Sequence, residues 1–201
     1  QPEDALELLK AYCELDSTNL SVNTVKAYAL HQPKRFKEAI AEYEKLKAEG
    51  DDRCSTNYYL GLSYYRDRNL LDAYDLLYRA VEQSNRENTG ILARFGVVEL
   101  ARGRWDDGVA DIEEAIEKMQ PNRDMLFYLY NNIGNSFATH DRDRAISYYN
   151  KAKEIFPDRS NIYYQLAYCY HQKKYYRREL QNYELYLKYA PKDEDPNTLE
   201  Y

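Results

Sequence analysis

Along the chain a small residue is repeatedly followed, four positions later, by an aromatic or aliphatic one: Ala5 with Leu9, Ala39 with Tyr43, Ala73 with Leu77, Gly108 with Ile112 and Ala145 with Tyr149. Glu179 with Tyr183 occupies the sixth place, and successive first members stand 34, 34, 35, 37 and 34 residues apart. A near-constant interval of this size marks stacked units that cannot bury their apolar faces alone. A second row of small residues, Ala27, Gly61, Gly96, Gly134 and Ala167, lies twelve positions upstream in most copies and eleven before Ala145. Small side chains at such positions let one helix backbone approach another.

Within each unit the apolar positions fall at i, i+3, i+4 and i+7 on two segments separated by a short polar turn such as "RDRN", "ARGR" or "HQKK". The pattern predicts a helical hairpin per unit. Helices are expected over 4–15, 19–30, 35–48, 54–66, 70–84, 88–102, 105–119, 123–139, 142–156, 160–172 and 176–189. Glycine and proline are few and lie at intervals, which favours long helices over sheets.

These residues resemble the tetratricopeptide repeat (TPR) family, in which Leu-Gly-x-x-Tyr in a first helix is joined to Ala-x-x-x-Phe in a second, followed by Pro. "NYYLGLSYY" supplies Leu60, Gly61 and Tyr64, with Ala73, Leu77 and Ala80 in the second helix. The last copy has Tyr163, Leu166, Ala167 and Tyr170, then Tyr183, Tyr186 and Pro191, with Glu179 in place of alanine. Ile133, Gly134, Phe137, Ala145, Tyr149, Ala152 and Pro157 form the copy before it, whose turn is one residue short. The fourth copy departs further: Glu99 stands where an aromatic is expected and Gly108 replaces alanine, while Gly103, Trp105 and Ala115 fit. In the weakest copy Ala27, Phe36, Ala39 and Tyr43 agree, and Lys26 stands where leucine is usual.

The resemblance implies an all-α fold, a right-handed α-solenoid of helical hairpins spanning 1–191. Its parts are the second helix of a first repeat at 4–15 and repeats at 19–49, 54–84, 88–120, 123–157 and 160–191. Residues 192–201, within "PKDEDPNTLEY", form a tail that starts a capping helix. A second helix without its first and an unfinished cap imply a piece of a longer chain, with end-to-end self-association as the alternative.

In the family the first helix of each hairpin lines a concave surface, so helical position sorts the 23 tyrosines into structural and available rings. Tyr163, Tyr170, Tyr176 and Tyr183 fall on packing positions. Tyr164, Tyr168 and His171 fall on the remaining stripe. Transferred to the other repeats, that stripe contains Thr24, Tyr28 and His31; Tyr58, Leu62 and Tyr65; Ala93, Val97 and Leu100; and Asn131, Asn135 and Ala138. Rings and aliphatics there can bury side chains of an extended peptide or amphipathic helix, and Asn131 and Asn135 can both donate to and accept from its backbone. Ordinary half-buried positions, or a groove filled by the chain's own tail, are the plainer alternatives. One subgroup of the family grips a C-terminal carboxylate with a lysine, arginine and asparagine clamp. No lysine stands at the position of Asn131 and no third basic repeat follows Gln165, so that mode of binding is not expected.

Composition removes other classes of function. The 201 residues are 31% charged with a net charge of -6, which disfavours a nucleic-acid partner, since phosphate contacts need a basic surface. No apolar run reaches the ~18 to 20 residues of a membrane span, so no direct membrane insertion is expected. Cys13, Cys54 and Cys169 are odd in number and outside metal spacing, and His31, His140 and His171 form no ligand motif. No phosphate loop or nucleophile motif appears, so neither catalysis nor a cofactor is expected. Lys173, Lys174, Arg177 and Arg178 form the one local basic excess, read as a solvated turn or a contact for an acidic partner. The leading expectation is a non-enzymatic scaffold that binds a protein or peptide in the groove. The alternative is a structural or self-association module, homo-oligomeric through exposed terminal repeats. Compartment stays open between the cytoplasm and, where a leader has been removed, the periplasm or exterior.

Overall fold

A computed structural model describes residues 20–31, 35–119 and 123–190. The expected helix at 4–15 and the tail at 192–201 lie outside the described residues. Ten helices follow one another, all within two residues of the expected bounds, with no strand among the described residues. The first compact unit, ending at Lys118, holds α1 (Leu20–His31), α2 (Phe36–Ala48), α3 (Cys54–Arg66), α4 (Leu70–Gln83), α5 (Thr89–Ala101) and α6 (Trp105–Lys118). The second unit holds α7 (Arg123–Phe137), α8 (Arg142–Ile155), α9 (Ser160–Gln172) and α10 (Tyr176–Tyr189).

In the first unit α1 pairs with α2, α3 with α4 and α5 with α6, and α2 packs on α3 and α4 on α5. In the second, α7 pairs with α8, α9 with α10, and α8 packs on α9. The two rows of small residues are where paired helices meet. A Cβ added to Gly61 would lie 2.8 Å from Leu77 Cγ, and one on Gly134 would lie 2.5 Å from the Tyr149 ring. Ala27, Ala39, Ala73, Ala145 and Ala167 are fully buried, as are Tyr43, Leu77 and Ile112, four residues after the first row's small residue. Each such aliphatic or aromatic removed from water contributes about 1.5–3 kcal/mol, so the repeat pattern and the core are the same residues.

The turns inside the hairpins repeat as well. Arg68, Gly103 and Lys174 all have positive φ, at 68°, 78° and 59°. The residue after each donates its N–H five residues back around the helix end: Asn69 to Tyr64 O, Arg104 to Glu99 O and Tyr175 to Tyr170 O, each at 2.9 Å. This left-handed closure satisfies the last carbonyls and reverses the chain. Entry to the next helix is fixed by Asn69, Asn88 and Asp141, whose side chains accept from the N–H groups of Asp72, of Gly90 and Ile91, and of Arg144.

Candidate functional site

In the first unit the stripe on the first helices is open at one end and closed at the other. Tyr28 is 40% exposed and meets Tyr59 edge to face at 4.9 Å; Tyr59 meets Tyr58 in the same way at 5.0 Å. Edge-to-face rings at these separations hold one another in place. Thr24, Tyr58, Leu62 and Tyr65 are half-buried, and Thr24 Oγ1 accepts from Arg53 Nη2 at 2.8 Å. His31 ends α1, and its side chain lies outside the described residues.

Beside Tyr58, where the N-terminal ends of α3 and α5 face each other, is an open cavity of about 520 Å³. Tyr58, Tyr59 and Ile91 supply apolar walls; Arg53, Cys54, Ser55 and Asn88 supply polar ones. Arg53 is held there by Asp51, which accepts from its Nε at 2.9 Å and its Nη2 at 2.7 Å. Asp51 also accepts from Thr56 Oγ1 at 2.7 Å, and the hydrogen bonds from Arg53 first hold its carboxyl well below the usual carboxylate range. The Cys54 thiol donates to Ala80 O at 3.4 Å and is pushed up by burial, which lowers its thiolate fraction at neutral pH. Of these residues only Tyr58 is expected in the groove from the sequence. Ser55, three positions earlier on the same helix, shares its face by spacing alone.

The stripe on α5 differs from expectation. Ala93, Val97 and Leu100 are buried, Val97 at 3% and Leu100 at 5% exposure, so they line no open surface. Leu100 points at α6: its Cγ is 3.0 Å from where a Cβ on Gly108 would stand. Next to it Glu99 is also buried, with Oε1 3.5 Å from Arg104 Nε and Oε2 without a hydrogen-bond partner. Burial first, then the neighbouring Asp111, push its carboxyl up to about 7 against the pull of Arg104.

In the second unit Tyr168 is 41% exposed and His171 is exposed, while Tyr164 is half-buried against Tyr183 and Tyr186 of α10, at ring separations of 6.2 and 5.7 Å. His171 Nδ1 lies 2.9 Å from Glu179 Oε1, so the glutamate that replaces the family's alanine engages a side chain of the stripe. Asn135 is exposed, and its Oδ1 accepts from Tyr149 Oη at 2.9 Å and from Gln165 Nε2 at 2.8 Å, which leaves its amide N–H groups as what it can offer a ligand. Asn131 and Ala138 are half-buried, and Asn131 Oδ1 is enclosed without a partner. Tyr163 and Tyr170 are buried as expected of packing positions. Tyr176 is not: at 62% exposure it stands in solvent, because α10 is the last described helix and buries no residue.

Among the described residues no group of His, Cys, Asp and Glu gathers as a metal site, and no helix is long and apolar enough to cross a membrane.

No protein-family model matches the sequence, and no curated protein matches it. Solved structures do. The chain superposes on MamA of MSR-1 with a TM-score of 0.68 over 85% of its length and 95% of that chain, at 18% identity. With YrrB, described as a TPR protein with an unusual peptide-binding site, the TM-score is 0.66 over 94% and 95% of the two chains, at 17% identity. The fold is that of the tetratricopeptide repeat proteins. It also matches the APC/C hetero-tetramer Cut9-Hcn1, at a TM-score of 0.71 over 96% of this chain and 38% of that one, at 16% identity. Identities this low carry the TPR fold, an all-α solenoid of hairpins, and leave function to the residues of this chain.

Proposed function

We propose that this chain is a non-enzymatic interaction module that holds a partner protein, as an extended peptide or an amphipathic helix, along the first helices of its hairpins. The observation that carries the reading is the open cavity beside Tyr58, with ring walls and a polar rim, next to the exposed Tyr28. A cavity of that kind takes one large apolar side chain, worth about 1.5–3 kcal/mol before ordering costs. Ser55 and Asn88 would then meet the ligand's backbone. In the second unit Tyr168 and the amide N–H groups of Asn135 are the corresponding contacts, a ring for a side chain and donors for a carbonyl. The peptide-binding description of YrrB supports the same use of the fold here.

The test is a peptide array probed with the chain and with a Tyr28→Ala/Tyr58→Ala variant of unchanged helical circular dichroism. Peptides selected by the parent are expected to lose about tenfold or more in affinity to the variant. An identical set at identical affinities would rule out this face.

A further inference from the structure

The last described helix carries a second surface, independent of the one just proposed. Tyr176, Leu180, Tyr183 and Leu187 follow at spacings of four, three and four, which places them in one stripe along α10. Tyr176, Leu180 and Leu187 are 62%, 60% and 71% exposed. Tyr183, between them, is half-buried against Tyr164. A helix that presents three large exposed apolar side chains in register has a face shaped for another helix.

Charge decides which helix. Between Lys173 and Ala190 stand five basic residues, Lys173, Lys174, Arg177, Arg178 and Lys188, against Glu179 and Glu184, in a chain whose net charge is -6. Lys173 is engaged by Asp143 at 2.5 Å, and Arg178 lies over the rings of Tyr170 and Tyr175. Glu179 is engaged by His171. Lys174 and Arg177 have no acidic partner among the described residues, and both are exposed beside the start of the stripe. A second copy of α10 fits this face poorly. Antiparallel, it would set Arg177 and Arg178 against the other copy's Lys188, and in parallel it would set each basic residue against itself.

We propose that α10 docks an acidic amphipathic helix of a partner protein, whose apolar residues cover Tyr176, Leu180 and Leu187 and whose carboxylates meet Lys174 and Arg177. Steering by these cations would favour acidic over basic partners from the first encounter.

The probe is a fluorescein-labelled synthetic helix with leucines at i, i+4, i+7 and i+11 and glutamates beside them, titrated by anisotropy against the full chain. Saturable binding is expected, weakened about tenfold or more by Leu180→Ala/Leu187→Ala and by Lys174→Glu/Arg177→Glu, and about tenfold weaker when lysines replace the glutamates. Both leucines are exposed, so the first variant keeps its fold; unchanged circular dichroism confirms it. Tyr28→Ala/Tyr58→Ala should leave this affinity unchanged, which separates the surface from the cavity at Tyr58. The proposal is overturned if the Glu and Lys probes bind alike or if the leucine variant binds as the parent does. It is equally overturned if removing residues 191–201 raises affinity tenfold, since the face is then the tail's, or if the chain sediments as a dimer that Leu180→Ala/Leu187→Ala dissolves.

Discussion

Gly96 and Gly108 face each other across the α5–α6 hairpin so closely that a Cβ on either would stand 2.8 or 2.7 Å from the other's carbonyl oxygen. The obstacle is backbone, which cannot rotate away. Gly96→Ala or Gly108→Ala should therefore cost about 1–3 kcal/mol through overpacking, offset only slightly by alanine's better helix propensity. Urea unfolding of the two variants checks this, and a midpoint equal to the parent's would mean that the hairpin is less tightly closed.

Tyr43 and Tyr149 hold equivalent places, four residues after Ala39 and Ala145, and both are buried. Their hydroxyls differ: that of Tyr149 donates to Asn135 Oδ1 at 2.9 Å, while that of Tyr43 is enclosed without a partner. Removing a bonded hydroxyl loses about 1 kcal/mol, and removing an unbonded one relieves a desolvation cost. Tyr149→Phe is thus expected to lower the thermal midpoint, and Tyr43→Phe to leave it equal or raise it. The reverse order would contradict the assigned bonds.

Glu99 should make stability depend on pH. Its carboxyl titrates near 7 in the folded chain against an ordinary value of 4.5, so the folded state holds the proton more tightly than the unfolded one. The stabilisation from this group is full below about 4.5 and falls away as pH rises through about 7. Glu99→Gln should flatten that part of the profile and gain most above neutrality. Chemical unfolding at a series of pH values reads it out, and parallel profiles for parent and variant would refute it.

Cys169 is fully buried, and burial pushes its thiol up to about 11. Native alkylation by iodoacetamide at mildly alkaline pH should leave it unmodified, and denaturant should expose it. Peptide mapping by mass spectrometry distinguishes it from Cys13 and Cys54.

The helices were legible in the sequence because the residues that close each hairpin, such as Gly61 against Leu77 and Gly134 against Tyr149, are the ones that recur. A 34-residue spacing is visible in one dimension; coverage by neighbouring elements is not. The helical phase of Val97 and Leu100 gave no sign that they are buried, nor did that of Tyr164 that it leans on Tyr183 and Tyr186. Tyr176 sits at a packing phase yet is exposed, since phase specifies a direction and not what occupies it. The cavity beside Tyr58 draws on Arg53 and Asn88, one residue before each of two helices and far apart along the chain, where no periodic signal operates. Glu179 read as a lapse from the pattern, and its carboxylate proves to be the partner of His171.

Helix α5 is enclosed on nearly every side from Ile91 to Leu100, whereas α10 encloses none of its residues. Amide protons exchange with deuterated solvent through local openings, and an opening that wets α5 must separate most of the apolar contacts around it. Deuterium should accordingly enter α10 early and α5 last, so that isotope uptake ranks the helices by how much each opening dismantles.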